Sequence, residues 1–567
     1  MKWDLAVLTA IALAVRTGVA LSVPQAPWTD SAYYFASAQR LAAGEGLTLP
    51  FVWSFLETGG RLPPDPSLPI HSHAHWMPLT AMVTALGMEL FGSSWRGAQA
   101  VMILLSTALT PITYLIALDL WRSRPAAVTG SLLVIFSGPL LLFGSIVESY
   151  AVFGLVGSLA LFAALRSIAD QRRARLWLLL SGGLVGVATL TRIEGILLGV
   201  ATATAWLIGM GWTGWRARGR IGWAAGVASF GLFCLAVTPW AARNMATFGR
   251  VLPSTGGHTL WIKDYNEQFS ITADTSVAAY LAQGAGPILV AKVGAWLTIL
   301  GYSLALLGGV FGIFFLAGMW RGLRRAVLVP FVVYWLTMLV VMGGVFTFHA
   351  PHGLFYHHAA AWLPIAAPLA AAAVPDVATG LGRWWRFLRR PATHRFLLRA
   401  SLIGAVLFSL VSSGLLLAEW RANLAAVHAA DRFLDANASP DDVVLFRDAP
   451  LLTANTGWRA VAPPNDPYPV IEQVARAYGA DWYVAQRQSR GPGIEPLGLW
   501  EGGRAVDRDG NRAEWLEIDP AYDDGTVRIY RIIPPGMPEA AAPPYRLGMP
   551  RTNRPQQPAR GPAAGRS

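Results

Sequence analysis

The sequence predicts an all-α polytopic membrane protein of about eleven transmembrane helices, followed by a small extracytoplasmic α/β domain. Three observations predict it. Hydrophobic residues are 54% of the 567 and charged residues only 14%, a balance too apolar for a soluble globular chain of this size. Apolar runs close to the bilayer-spanning length recur from residue 5 to residue 419. After Trp420 the pattern changes to short apolar runs and one amphipathic run between polar turns.

The spanning segments lie near 5–23, 97–119, 126–147, 150–168, 176–191, 195–211, 223–241, 294–319, 326–346, 357–375 and 400–419. Arg16 interrupts the first of them, which makes it a poor signal-peptide core, so it reads as an uncleaved first helix. Arg16 itself is expected to snorkel or to pair locally. The net charge is +12, but the arginines form short clusters between apolar runs. These are Arg122 with Arg124, Arg166 with Arg172, Arg173 and Arg175, Arg216 to Arg220, Arg321 to Arg325, and Arg383 to Arg399. All fall on one side of the membrane, which the positive-inside rule makes cytoplasmic. No basic surface domain is visible, so no nucleic-acid partner is expected. Trp212, Trp215, Trp384 and Trp385 read as interface anchors. The single cysteine, Cys234, excludes an intrachain disulfide and a cysteine-based zinc cluster.

The run Trp76 to Gly92 is apolar enough to tempt a further span, but that would put every later arginine cluster outside. It is expected to lie along the surface. Residues 24–95 then form one large external loop with two surface helices, near 31–43 and 78–91. The membrane domain is expected over 1–420. A soluble domain follows over 421–533, with strands at 442–446, 482–484 and 526–532 and a helix at 470–478. The Pro-, Ala-, Gly- and Arg-rich stretch 534–567 reads as a disordered tail. The amino terminus is then cytoplasmic and the carboxyl terminus extracytoplasmic. The Ala, Arg and Gly bias suggests a bacterial inner membrane.

Ionisable groups at membrane depth are functional candidates by default. Here they converge on the external face: Asp30, Glu148, Arg192, Glu194, Arg243 and the loop histidines. Each also has a plainer reading. Asp30 can cap a helix starting at Ser31, and Glu148 can be a solvated turn acid. Arg192 and Glu194 can pair with each other, and Arg243 can anchor a helix end at the headgroups. His71, His73 and His75 alternate, which would put them on one side of a strand, able to bind a metal; a flexible loop is the commoner explanation, and His75 remains the site candidate. A transporter would place polar groups near mid-membrane in two matching halves, and no such repeat is visible.

Several stretches resemble polytopic glycosyltransferases of the GT-C class, which includes protein O-mannosyltransferases (family 39) and the lipid A aminoarabinose transferase. They are Arg16, Asp30-Ser31-Ala32-Tyr33-Tyr34 and Leu41 to Leu47. Further along come His75-Trp76-Met77-Pro78-Leu79 and Leu90-Phe91-Gly92, then Leu190 to Gly195 and Pro239 to Asn244 with Phe248-Gly249. Protein O-mannosyltransferases carry an Asp-Glu pair where this chain has Asp30-Ser31, and many relatives carry an arginine or tyrosine where it has His357-His358. The resemblance implies a polyprenyl-phosphate sugar donor and transfer on the external face to a glycan, lipid or protein acceptor. Such a transfer needs a carboxylate to take the acceptor's proton and a cation to steady the leaving phosphate. Asp30 is the expected general base, or alternatively a ligand for a divalent metal such as Mg or Mn. Arg192, Arg243 and Lys263 are the candidates for the donor phosphate. Glu148, Tyr33, His75 and His358 complete the candidate site. The competing readings are a transporter or flippase for a lipid-linked saccharide, and a non-catalytic assembly factor whose tail domain binds a partner.

Overall fold

The computed structural model describes residues 1–138, 140–211, 221–253, 259–486, 505 and 513–534. The Arg216–Arg220 cluster, Trp212, Trp215 and the expected tail from 535 onward lie outside the described residues. In chain order the elements begin with α1 (Lys2–Leu21), α2 (Thr29–Ala42), β1 (Thr48–Leu49), β2 (Phe51–Val52), β3 (Ile70–His71) and α3 (Leu79–Phe91). The bundle continues through α4 (Trp95–Trp121), α5 (Arg124–Ile135), α6 (Leu140–Phe143), α7 (Ser149–Ala169), α8 (Ala174–Thr191), α9 (Gly199–Gly209) and α10 (Trp223–Phe248). After a loop bearing α11 (Val277–Leu281) come α12 (Ala285–Leu306), α13 (Val310–Gly322), α14 (Val329–Gly344), α15 (Phe355–Leu381) and α16 (Pro391–Asn437). The last part holds β4 (Val443–Phe446), α17 (Ala449–Thr456), β5 (Arg459–Val461), α18 (Tyr468–Ala477), β6 (Ala480–Gln486), β7 (Tyr522–Asp523) and β8 (Val527–Arg531).

Among the described residues, eight helices are long and apolar enough to cross a membrane. The segments expected at 126–147, 195–211 and 326–346 fold as shorter apolar helices. The first breaks after Ile135, where Gly138 adopts φ +57°. The segment expected at 294–319 is two helices, α12 and α13, because Gly308 and Gly309 both take positive φ and end the ladder there. The helix α3 has 13 residues, about 20 Å at 1.5 Å per residue, too short to cross a bilayer core of about 30 Å.

Arginine-rich helix ends gather at one end of the bundle. Arg124 holds Asp4 of α1 through two hydrogen bonds of 2.8 Å. Arg166 pairs with Asp119 at 2.8 Å and with Asp170 at 3.2 Å, and Arg321 pairs with Asp376 at 3.1 Å. The antiparallel run of the helices carries Asp30, Glu148 and Arg192 to the opposite end. Inside the bundle, small residues let backbones approach. A Cβ at Gly182 of α8 would meet the Ser229 carbonyl of α10 well inside van der Waals contact. Gly182→Val is therefore expected to lower stability by about 1–3 kcal/mol, read as a lower thermal midpoint in detergent micelles.

The helix α16 is 47 residues long and passes residue 420 without interruption into the last part of the chain. The sheet there has the order β2-β5-β4-β6-β8-β7. Strands β4, β5 and β6 are parallel, β8 runs antiparallel to β6, and β7 runs antiparallel to β8. The edge strand β2 comes from the first large loop and pairs in parallel with β5 through Phe51 opposite Ala460 and Val52 opposite Val461.

Candidate active site

The site is built on α2. This helix begins at Thr29 after Pro27-Trp28, and Trp28 at its N-cap position gives no side-chain cap. Asp30 is thus the second helical residue rather than the cap of a helix starting at Ser31. Its carboxylate points away from its own helix, with Oδ2 3.5 Å from His357 Nε2. The Asp30 side chain keeps 21% of its surface exposed, so it is reachable from outside the bundle.

Glu148 is the N-cap of α7 and is fully buried. Its Oε1 accepts from the Ser149 N–H at 2.7 Å and from Ser149 Oγ at 2.9 Å. The same oxygen lies 3.5 Å from His357 Nδ1, while Oε2 has no hydrogen-bond partner. His357 at the start of α15 therefore bridges two carboxylates on different elements. Its ring is stacked with Trp28 (6.1 Å, 12°) and lies 4.6 Å from the Tyr150 ring. Burial raises both carboxyls above the usual carboxylate range. For Asp30, the nearby Arg192 opposes the rise and Asp448 adds to it. For Glu148, burial is reinforced by the Asp30 charge. Arg192, the C-cap of α8, completes the cluster. It donates to Glu194 Oε1 at 2.9 Å and to Ser149 Oγ at 3.3 Å, and its Nε, buried, has no partner.

The remaining candidates divide around this cluster. His358 lies one residue on from His357, so the helix turns it about 100° away; it meets the Tyr334 hydroxyl at 2.5 Å. Tyr33, one turn after Asp30, donates to Glu57 Oε1 at 2.9 Å and accepts from the His73 N–H at 2.7 Å. Glu57 also accepts from Trp53 Nε1 and from the Ala74 N–H, both at 2.9 Å. Burial raises the Glu57 carboxyl. Arg243 belongs to this second group: it donates to the Ser72 carbonyl at 3.0 Å and lies over the rings of Trp240 and Phe248. His75 sits 5.5 Å from Trp53, between the two groups, and burial lowers its imidazole to about 3. Lys263 is engaged locally with Glu267 at 3.1 Å.

Sequence reasoning did not single out His357, Ser149 or Glu57 as site residues. His357 stands in the His-His pair of the quoted stretch, and only the phase of α15 decides which member faces Asp30. Glu57 carries no spacing signal; its importance comes from the three donors that the fold brings to it.

One oxygen each of Asp30 and Glu148 and one nitrogen of His357 lie within 4.8 Å of one another, and among the described residues no other His, Cys, Asp and Glu group converges in this way. Two carboxylates, one with an orphaned buried oxygen, and an imidazole fit a divalent cation; the imidazole favours Mn over Mg. His71, His73 and His75 do not converge. His73 takes φ +63°, which breaks the alternation expected of a strand, and His71 is exposed.

Comparisons with known proteins agree with this architecture. Residues 72–240 match the family model described as dolichyl-phosphate-mannose-protein mannosyltransferase. No curated protein sequence matches the chain. The apo oligosaccharyltransferase of Archaeoglobus fulgidus superposes with a TM-score of 0.56 at 13% identity, over 86% of this chain and 70% of that one. ArnT from Cupriavidus metallidurans bound to undecaprenyl phosphate superposes with a TM-score of 0.55 at 15% identity, over 93% and 97%. The archaeal oligosaccharyltransferase AglB from A. fulgidus, in complex with an inhibitory peptide and a dolichol-phosphate, gives 0.53 at 12% identity, over 85% and 69%. The chain has the GT-C fold of these membrane glycosyltransferases, and the mannosyltransferase family model covers its segment 72–240.

Proposed function

We propose that this chain is a membrane glycosyltransferase that moves a sugar from a polyprenyl-phosphate donor to an acceptor hydroxyl on the extracytoplasmic face. The observation that carries this reading is the Asp30–His357–Glu148 cluster, with Arg192 beside it, at the end of the bundle opposite the Arg124, Arg166 and Arg321 pairs. The family match and the polyprenyl phosphates bound by two fold relatives support the donor class.

In this reading the Asp30 carboxylate takes the proton of the acceptor hydroxyl. The acceptor oxygen forms a bond to the anomeric carbon, and the bond from that carbon to the donor phosphate breaks. The departing polyprenyl phosphate gains the electron pair and negative charge, which the Arg192 guanidinium stabilises. His357 holds Asp30 and Glu148 in register, so the base faces the opening while Glu148 stays fixed to the start of α7. The convergence of the three donor atoms favours a second reading for Asp30, as a ligand for Mn or Mg shared with Glu148 and His357. A divalent ion held there would supply Lewis-acid charge for the leaving phosphate.

The test is the purified protein in liposomes with radiolabelled polyprenyl-phosphate sugars and acceptor extracts. Covalent transfer supports the reading. Movement of the donor across the bilayer without covalent change overturns it in favour of a flippase. Sidedness is tested separately in a bacterial inner membrane. A phosphatase fused after Gly92 is expected to be active and one fused after Arg172 inactive; the reverse pattern inverts the topology.

A further inference from the structure

The loop that carries Asp30 is held from the far end of the chain. Asp448, the residue before α17, accepts from Thr29 Oγ1 through Oδ2 at 2.8 Å. Its Oδ1 caps α17 by accepting from the Leu451 N–H at 3.2 Å. One carboxylate thus joins the first turns of two helices. The tie matters because Trp28 leaves α2 without a side-chain cap of its own. At the other end of α17, Asn455 Nδ2 donates to the Ala26 carbonyl at 3.0 Å. Gln25 meets His428 of α16 at 2.6 Å. Beyond α2, the strand β2 is fixed to β5, and the Ala462 N–H donates to the Val52 carbonyl at 2.7 Å. The whole stretch from Gln25 to Val52 is therefore gripped at both ends by residues from beyond position 427.

We propose that Asp448 is a positioning residue for Asp30: by holding Thr29 it fixes the first turn of α2, so the soluble part of the chain completes the transferase site rather than merely hanging from the membrane domain. The inference rests on the transferase reading above. Asp448 has no direct hydrogen bond to Asp30; apart from the charge it places near that carboxyl, its hold runs through Thr29 and the helix start. Loss of the tie leaves the donor able to bind and the base misplaced. A displacement of about 1 Å at a reacting group costs on the order of a hundred-fold in rate.

The experiment compares the full-length protein with Thr29→Val, Asp448→Ala, Asp448→Asn, Thr29→Ser and the Thr29→Val/Asp448→Ala double variant. All are reconstituted in liposomes and read as kcat and as KM for the polyprenyl-phosphate sugar. Thr29→Val keeps the shape of the side chain and removes only the donor, so it remains informative if Asp448→Ala fails to fold. Thr29→Val and Asp448→Ala are each expected to lower kcat about 10- to 100-fold, with KM within about two-fold of wild type. Thr29→Ser and Asp448→Asn keep a donor and an acceptor in place, and are expected to stay within about three-fold. The double variant should be no worse than the worse single, because both lose the same tie. A wild-type kcat for Thr29→Val, or losses that multiply in the double variant, would overturn the inference. A wild-type protein that transfers no sugar removes the transferase reading itself; a wild type that transfers while Thr29→Val equals it removes only the positioning role.

Discussion

Asp30→Asn protein in liposomes is expected to transfer sugar about 10²- to 10⁴-fold more slowly than wild type, the range associated with losing a positioned general base. Asparagine keeps the size and polarity of the side chain, and Asp30 stands inside the first turn of α2 rather than at its cap. Folding should therefore be preserved and only the acceptor's proton left without a destination. Equal transfer by the two proteins would end the catalytic assignment. The same residue sets an expected pH dependence. A base works in its ionised form, and burial raises the Asp30 carboxyl above its ordinary value near 4. Transfer should therefore fall as pH drops through that raised value, at a higher pH than an exposed aspartate would give.

Arg192→Gln is expected to be the most costly single change to stability in the site. The guanidinium is 12% exposed and its partner Glu194 only 5% exposed. Removing one member of a buried pair leaves the other charge uncompensated, at a cost of roughly 3–5 kcal/mol. Thermal unfolding in detergent should register this directly. The double change Arg192→Gln/Glu194→Gln removes both charges and leaves no buried charge uncompensated in the pair, and should recover much of the lost midpoint. Sugar transfer should stay low in the recovered protein if Arg192 also serves the donor phosphate. Recovery of both stability and transfer would reduce Arg192 to a structural role.

The legible parts of the structure were those written in local pattern. The apolar runs mark the bundle, and α2 and α3 fall within two residues of the surface helices expected at 31–43 and 78–91. The strands β4, β6 and β8 and the helix α18 overlap the segments read from the sequence. Asp30, Glu148 and Arg192 were singled out because acids and arginines at helix ends stand out in an apolar chain. What stayed illegible depends on phase or on distant pairing. Whether His357 or His358 faces Asp30 turns on the rotation of α15, which α13, α5 and α7 set by packing on it. The breaks at Gly138 and at Gly308-Gly309 lie inside apolar runs that read as continuous. Glu57 and Asp448 draw their roles from partners far away in the chain, and no spacing in the sequence announces them.

The pairing of β2 with β5 sets a clock on biogenesis. Phe51 opposes Ala460, so the strand beside the Asp30 loop lacks its partner until on the order of 400 further residues have been made. At roughly 5–20 residues per second that is a wait of about 20–80 s. During this interval the loop has already left the membrane but has no sheet edge to join. A chain cut short before residue 428 would insert its helices and still leave this loop without His428, Asp448, Asn455 or the β5 edge to hold it. On the proposed transferase reading, the site would then be complete only once synthesis is nearly finished, and incomplete copies would hold membrane space without drawing on the donor pool.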